Sequence, residues 1–229
     1  MKDYAVLERN LGYSFQDKKL LAHALTHSSY ASEHDLAYSE NNERLEFIGD
    51  AYLDAIIGNK LYEVMPNQPE GVLSKTRANI VCERSLATIA RNIGLGDFLF
   101  LGNGEEMYGG REKDSILADA VEAIIGAIIR ESGYDCADRV VLKLFEENIL
   151  LALQGKLYHD YKTALQEMLQ ERYKNVRIQY EPVSESGPDH RKVFTVQVKV
   201  DDAVLATGSG HSKKAAEQEA ARKVLMKGV

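Results

Sequence analysis

Cysteine is scarce in this sequence. Only Cys82 and Cys136 occur, far apart and in no metal-binding spacing, which argues against a disulfide framework and points to a reducing compartment. Long apolar runs are missing too. The most apolar stretch, ILADAVEAIIGAII (116–129), has 14 residues and carries Asp119 and Glu122, too short and too charged to span a bilayer. The opening MKDYAVLERN lacks the apolar centre of a secretory signal. We therefore expect a soluble, cytoplasmic protein with no membrane partner. No internal repeat or low-complexity segment is evident. Histidine is sparse where it would matter: none of positions 23, 27, 34, 159, 190 and 211 stands three after a glutamate. The Glu-x-x-His pairs of a di-iron helical bundle are thus absent.

What is present is ordinary globular material: 229 residues, 45% hydrophobic and 28% charged, enough for one large domain or two smaller ones. Charge is divided unevenly. Of 28 Lys and Arg and 35 Asp and Glu, 13 and 10 lie from Lys156 onward, a net of +3 there and −10 upstream. Two domains with different partners are implied. Residues 1–153 read as helical throughout, because apolar residues recur at helical spacing in LLAHAL, AYLDAIIGNKLYEV, ERSLATIARNIGL and VVLKLFEENILLAL. MPNQPEG (65–71), Gly94 with Gly96, and GNGEEMYGG (102–110) break the pattern. Gly133 ends a helix and Asp135 is placed to cap the next. QGKLYH (154–159) reads as a linker. From 160 to 229 the pattern is a helix capped by Asp160 (DYKTALQEMLQERY), then strands VRIQYEPV, VFTVQVKV and AVLATGSG, then a last helix from Ser212. The expected fold is an all-α domain followed by a small α+β domain, helix–strand–strand–strand–helix.

Two acidic features carry the chemistry. In NNERLEFIGD (41–50), Glu43, Glu46 and Asp50 stand at offsets of three and seven, on one stripe of a helix. Asp119 and Glu122 form an i, i+3 pair in an apolar run with no Lys or Arg between Asp114 and Ile129. Carboxylates in such surroundings must be paired, hydrogen-bonded or metal-bound; the competing reading is a solvated stripe. Five carboxylates on two helices favour a hard cation, Mg²⁺ or Mn²⁺. Because Mg²⁺ commonly works beside substrate phosphates, phosphoester chemistry is the expectation.

NNERLEFIGDAYLD closely resembles the signature segment of the ribonuclease III family, and the resemblance extends to LGYSFQDKKLLAHALTHSSY, PEGVLSKTRANIV and SILADAVEAIIGAI. DYKTALQEMLQ, GPDHRKVFTV and GSGHSKKAAEQEAA resemble a double-stranded RNA-binding domain. The resemblance implies a catalytic and dimerisation domain over 1–153, a linker over 154–159 and an RNA-binding domain over 160–229. It implies that Glu46, Asp119 and Glu122 bind Mg²⁺, with Mn²⁺ as a substitute. It further implies that Asp50 and Glu122 occupy active-site positions and that Glu43 and Glu70 are accessory acids. Asp54, also on the stripe, matches no such position and reads as a rim charge. Ile48 stands where the family usually has Leu. Phe47 is expected to insert into a partner subunit of a homodimer, against the plainer reading of core packing. His27 invites a general-base role, but a helix-end hydrogen bond is the better reading.

On the RNA side, duplexes are recognised by 2′-hydroxyls, phosphates and shape. Thr163, Gln166 and Glu167 can face one minor groove, and Pro188 and His190 the next. Lys213 and Lys214 open the last helix, where a helix N-terminus favours phosphate. The implied activity is a Mg²⁺-dependent endoribonuclease that cuts double-stranded RNA to 5′-phosphate and 3′-hydroxyl ends during processing of ribosomal and other precursor RNAs. The rival is a catalytically silent RNA-binding regulator of the same fold. Its mark would be loss of Asp50, Asp119 or Glu122, and all three are present.

Overall fold

The most apolar stretch of the sequence becomes the axis of a helical unit. The computed structural model describes residues 3–155, 157, 161–173, 176–187, 192–201 and 203–227, and the chain divides into Met1–Leu157 and Tyr158–Val229. The first unit comprises α1 (Ala5–Leu11), α2 (Lys18–Ala24), α3 (Ser28–Glu33), α4 (Glu43–Val64), α5 (Glu70–Ile80), α6 (Glu83–Asn92), α7 (Asn103–Met107), α8 (Asp114–Ser132), α9 (Tyr134–Leu144) and α10 (Glu146–Leu153). On α8, residues 116–118, 120, 121 and 123–128 are all buried. A helix apolar all round belongs inside a core. Among the described residues, no helix is long and apolar enough to cross a membrane.

The second unit comprises α11 (Tyr161–Arg172), β1 (Ile178–Ser186), β2 (Val193–Val200), β3 (Ala203–Gly210) and α12 (Lys213–Lys227). The strands form one antiparallel sheet in the order β1-β2-β3. Leu165 and Leu169 of α11, Val198 and Ala206 of the sheet, and Ala220, Ala221 and Val224 of α12 make its core, with Tyr161 packed against it. β3 meets α12 through small residues: a Cβ on Gly208 would stand 2.3 Å from the Ala216 carbonyl oxygen. Glycine and alanine therefore allow helix and strand backbones to touch.

Several local readings need correction. VVLKLFEENILLAL is not one helix; it bends at Phe145, which is fully buried between α9 and α10. The segment 102–110, read as a breaker, contains α7, because Glu33 accepts hydrogen bonds from Asn103 N (2.8 Å) and Gly104 N (3.3 Å). That carboxylate supplies from a distance the cap the local sequence lacks. Asp135 lies within the first turn of α9, and Gly133 takes the cap position. β1 starts at Ile178 rather than Val176 and runs on to Ser186, since Glu185 and Ser186 pair with Phe194 and Val193 beyond the irregularity at 182–184. Asp160, Pro188 and His190 lie outside the described residues.

Candidate active site

α4 begins where it does because the turn before α3 holds its first residues. Asn41 and Asn42 are buried. Asn42 N donates to the Thr26 carbonyl at 2.8 Å, and His23 Nε2 lies 2.8 Å from the Asn41 carbonyl oxygen. Asn41 Oδ1 accepts from Glu43 N at 3.1 Å, closing the first turn. From that anchored start, α4 runs antiparallel to α8. A Cβ on Gly49 would fall 1.8 Å from the Glu122 carbonyl oxygen, and one on Gly126 would fall 2.1 Å from that of Leu45. Only glycine permits so close an approach of two backbones. The contact draws the inner edge of the α4 stripe onto the acidic pair of α8.

At this crossing Glu46, Asp119 and Glu122 each offer a carboxylate oxygen within 4.8 Å of the others. All three are half-buried. Burial, with the charges of Asp119, Glu43 and Asp50, pushes the Glu46 carboxyl up to about 7. Burial and then Asp50, Glu46, Asp119 and Asp54 push Glu122 to about 8. Asp119 is raised by burial above all, with Glu83 and Glu43 adding to it and His27 opposing. Desolvated like charges held this way make a strong seat for a hard cation, which takes oxygen ligands and relieves both penalties at once. The three groups fit a hard cation such as Mg²⁺ or Mn²⁺, because all of them are carboxylates.

The remaining acids surround that centre. Glu43 accepts a hydrogen bond from the exposed Tyr38 hydroxyl at 2.5 Å. Asp54 lies 3.6 Å from Arg77 Nε, a contact between two partly exposed side chains. Asp50 is exposed at the rim and acts on both Glu46 and Glu122 through its charge. Glu70 opens α5 exposed, accepts from Ser74 Oγ at 2.6 Å, and is not one of the three clustered carboxylates. His27 caps α3, its Nδ1 accepting from Ser29 N at 3.2 Å. Burial holds its imidazole below the usual range.

Comparison with known proteins places the chain. A family model described as Ribonuclease-III-like matches residues 17–172, and a double-stranded RNA binding motif matches residues 161–227. The chain is 51% identical to Ribonuclease 3 of Caldanaerobacter subterraneus over 96% of both proteins. It is 46% identical to that of Pelotomaculum thermopropionicum, over 97% of this chain and 92% of the relative. It belongs to the ribonuclease III family. The nuclease domain of Campylobacter jejuni ribonuclease III, solved in a study of flexibility in a region involved in dimer formation, is 49% identical. It superposes with a TM-score of 0.60 over 64% of this chain and 98% of that one.

Phe47 follows Glu46 on α4 yet is 80% exposed, so it is not a core residue. Thr163, Gln166 and Glu167 lie on α11, Gln166 and Glu167 exposed and Thr163 half-buried. Lys213 and Lys214 are exposed in the first turn of α12, which Ser212 caps by accepting from Ala215 N at 3.1 Å. Sequence reasoning missed the roles of Gly49 and Gly126. Their signal was there, a glycine inside each of two long helices (α4 also carries Gly58), but only the crossing shows that Gly49 and Gly126 face each other.

Proposed function

We propose that this protein is a divalent-metal-dependent endoribonuclease that hydrolyses double-stranded RNA, leaving 5′-phosphate and 3′-hydroxyl ends with two-nucleotide 3′ overhangs. The observation that carries the reading is the convergence of Glu46, Asp119 and Glu122 at one helix crossing, on a chain that also holds a double-stranded RNA binding motif. When bound, Mg²⁺ supplies positive charge beside the scissile phosphate and lowers the pKa of water. Glu46, Asp119 and Glu122 would hold it. Asp50, exposed at the rim, accepts a hydrogen bond from the attacking water and fixes its line of approach. Glu43 and Glu70 serve as accessory acids. Thr163, Gln166 and Glu167 meet one minor groove, Pro188 and His190 the next, and Lys213 and Lys214 clasp phosphate between them. The substrates are ribosomal and other precursor RNAs, and the expected workplace is the cytoplasm, where the free thiols of Cys82 and Cys136 stay reduced.

The working form is a two-fold homodimer. One carboxylate cluster suffices for one phosphodiester, whereas a duplex break needs two cuts on antiparallel strands. A C₂ dimer supplies two clusters related as the strands are. Phe47, large, apolar and exposed beside the cluster, is the leading interface residue. The reading is tested with heterodimers of one unaltered chain and one Glu122→Gln chain, acting on a duplex labelled separately on each strand, with and without Mg²⁺. The expected result is Mg²⁺-dependent nicking of one strand per binding event. Efficient cutting of both strands sinks the two-site mechanism, and no cutting by the unaltered homodimer under any divalent ion favours the silent regulator.

A further inference from the structure

The lysine expected to open the phosphate contact of the second unit already has an anionic partner. Glu185 near the end of β1 accepts from Lys192 Nζ at 2.9 Å through one oxygen, and its other oxygen lies 3.6 Å from Lys213 Nζ. Both ammonium groups also lie over the Phe194 ring, 5.8 Å and 5.9 Å from its centroid. The sheet register explains the meeting. Glu185 pairs with Phe194 across β1 and β2, and Phe194 pairs with Gly210 across β2 and β3. Gly210 is three residues before Lys213, so one row across the sheet delivers acid, aromatic plate and helix start to the same corner. The Glu185 carboxyl is held below the usual range by Lys192 first, with Lys213 helping, so it stays ionised near neutrality.

We propose that Glu185 is an electrostatic brake on duplex binding, sharing one carboxylate between Lys192 and Lys213 so that an RNA phosphate must displace it. The inference rests on the reading of the second unit as a binder of double-stranded RNA, and it adds Lys192 to the phosphate contacts. The corner carries two cations and one anion. A phosphate arriving at Lys213 therefore gains less than it would from two free ammonium groups and meets a like charge. Lys213 is 60% exposed and Glu185 38%. Ion pairs so open to water are weak, which makes the acid a competitor that phosphate can oust rather than a lock. Each phosphate neutralised by a cation contributes about 0.9 to the log–log salt dependence of duplex binding. Releasing one cation from Glu185 should therefore be visible as an added slope.

The test uses the full-length protein without divalent metal, so that RNA is bound and not cut. The probe is a labelled RNA duplex of about 20 base pairs, longer than the roughly 16 that one such domain covers. Glu185→Gln should tighten binding by roughly three- to tenfold at low salt and steepen the salt dependence by about one, with an unchanged melting temperature. Glu185→Thr, neutral and suited to a strand, must give the same direction. In a Lys192→Ala, Lys213→Ala background, the Glu185 substitutions should change nothing. Unchanged or weaker binding by both Glu185 variants, at unchanged melting temperature, overturns the brake while leaving the duplex-binding reading intact. If Lys213→Ala alone leaves duplex binding untouched, the reading itself falls and the brake falls with it.

Discussion

In the helical unit the key carboxylates face one another, whereas in the α+β unit carboxylates alternate with cations. Glu46 and Glu122 are raised to about 7 and about 8 by burial and by neighbouring acids. Glu181, Glu185 and Glu219 are lowered, each first by a hydrogen bond from a basic side chain: Lys199, Lys192 and Arg222 respectively. The same residue type thus carries opposite electrostatic histories in one chain. A lowered carboxyl has already spent its attraction within the protein. A raised one keeps its proton because its charged form is penalised, and an incoming cation can take that proton's place, which is why perturbed groups mark sites. The difference also explains how a chain of net charge −7 can handle RNA. The half-buried acids of the helical unit gather in one cluster, whereas several acids of the other unit are paired with cations and the chain from Lys156 onward keeps a net of +3.

The comparison breaks most sharply at Glu122. Glu122→Gln removes one ionisable carboxyl from the cluster, and with it an oxygen proposed to hold the metal, while nothing in the α+β unit changes. We expect single-turnover cleavage in Mg²⁺ to fall roughly a thousandfold or more, about 4 kcal/mol in the barrier, with duplex affinity unchanged. Near-normal cleavage by this variant would mean that the clustered carboxylates are not the active site. Next in size is the crossing that assembles them. Gly49→Ala brings a methyl to 1.8 Å from the Glu122 carbonyl oxygen, so α4 and α8 must part. Overpacking of this kind costs about 3 kcal/mol, enough to lower the melting temperature by roughly 6–12 °C in a chain of this size. Thermal unfolding followed by circular dichroism reads it. An unchanged melting temperature would mean that the helices are not in backbone contact.

Much of this was legible in the sequence, for a local reason. Offsets of three, four and seven fix which residues share a helix face, so Glu43, Glu46 and Asp50 could be grouped without a structure, and so could Asp119 with Glu122. Alternation did the same for VFTVQVKV, which is β2 residue for residue. What stayed hidden is tertiary. No spacing rule tells that Gly49 meets Glu122 or that Gly126 meets Leu45. Nor does one reveal that Glu33 caps α7 from seventy residues away, or that Glu185 reaches Lys213 across three strands. These contacts are set by how elements pack, and a sequence window sees only one element at a time.

On the basic side, the comparison is sharpened by removing cations instead of acids. Lys213→Ala with Lys214→Ala should weaken duplex binding by about tenfold at moderate salt and lower the log–log salt slope by about two. Cleavage per bound complex should stay near normal, because the chemistry is assigned to the other unit. Filter binding across a salt series, followed by single-turnover cleavage at saturating enzyme, separates the two effects. A loss of cleavage at saturation, with affinity intact, would erase the division of labour.

The smallest effect concerns the pH dependence of stability, where the two kinds of acid should act in different windows. The lowered carboxyls, Glu181, Glu185 and Glu219, lie in open ion pairs that contribute little stability, and what they contribute is complete above the ordinary carboxyl range and lost only in acid. Glu46 and Glu122 do the reverse. Their folded forms hold protons up to about 7 and about 8, against 4.5 for an ordinary glutamate. Between those limits the native state binds more protons than the unfolded chain, so metal-free stability falls as pH rises through the window. His27, lowered by burial, works the other way below about pH 7, which leaves the interval from about pH 7 to about pH 9 as the clean one. A divalent ion competes with those same protons, and its binding strengthens as they leave. Melting of the full-length protein with a chelator should therefore drop by a few degrees across that interval. The gain from adding Mg²⁺ should grow over the same range, and Glu122→Gln should flatten both trends. A metal-free melting temperature that rises with pH, or a Mg²⁺ gain indifferent to pH, would show that the crossing of α4 and α8 does not hold its carboxylates in the strained state that sets them apart from the paired acids of the other unit.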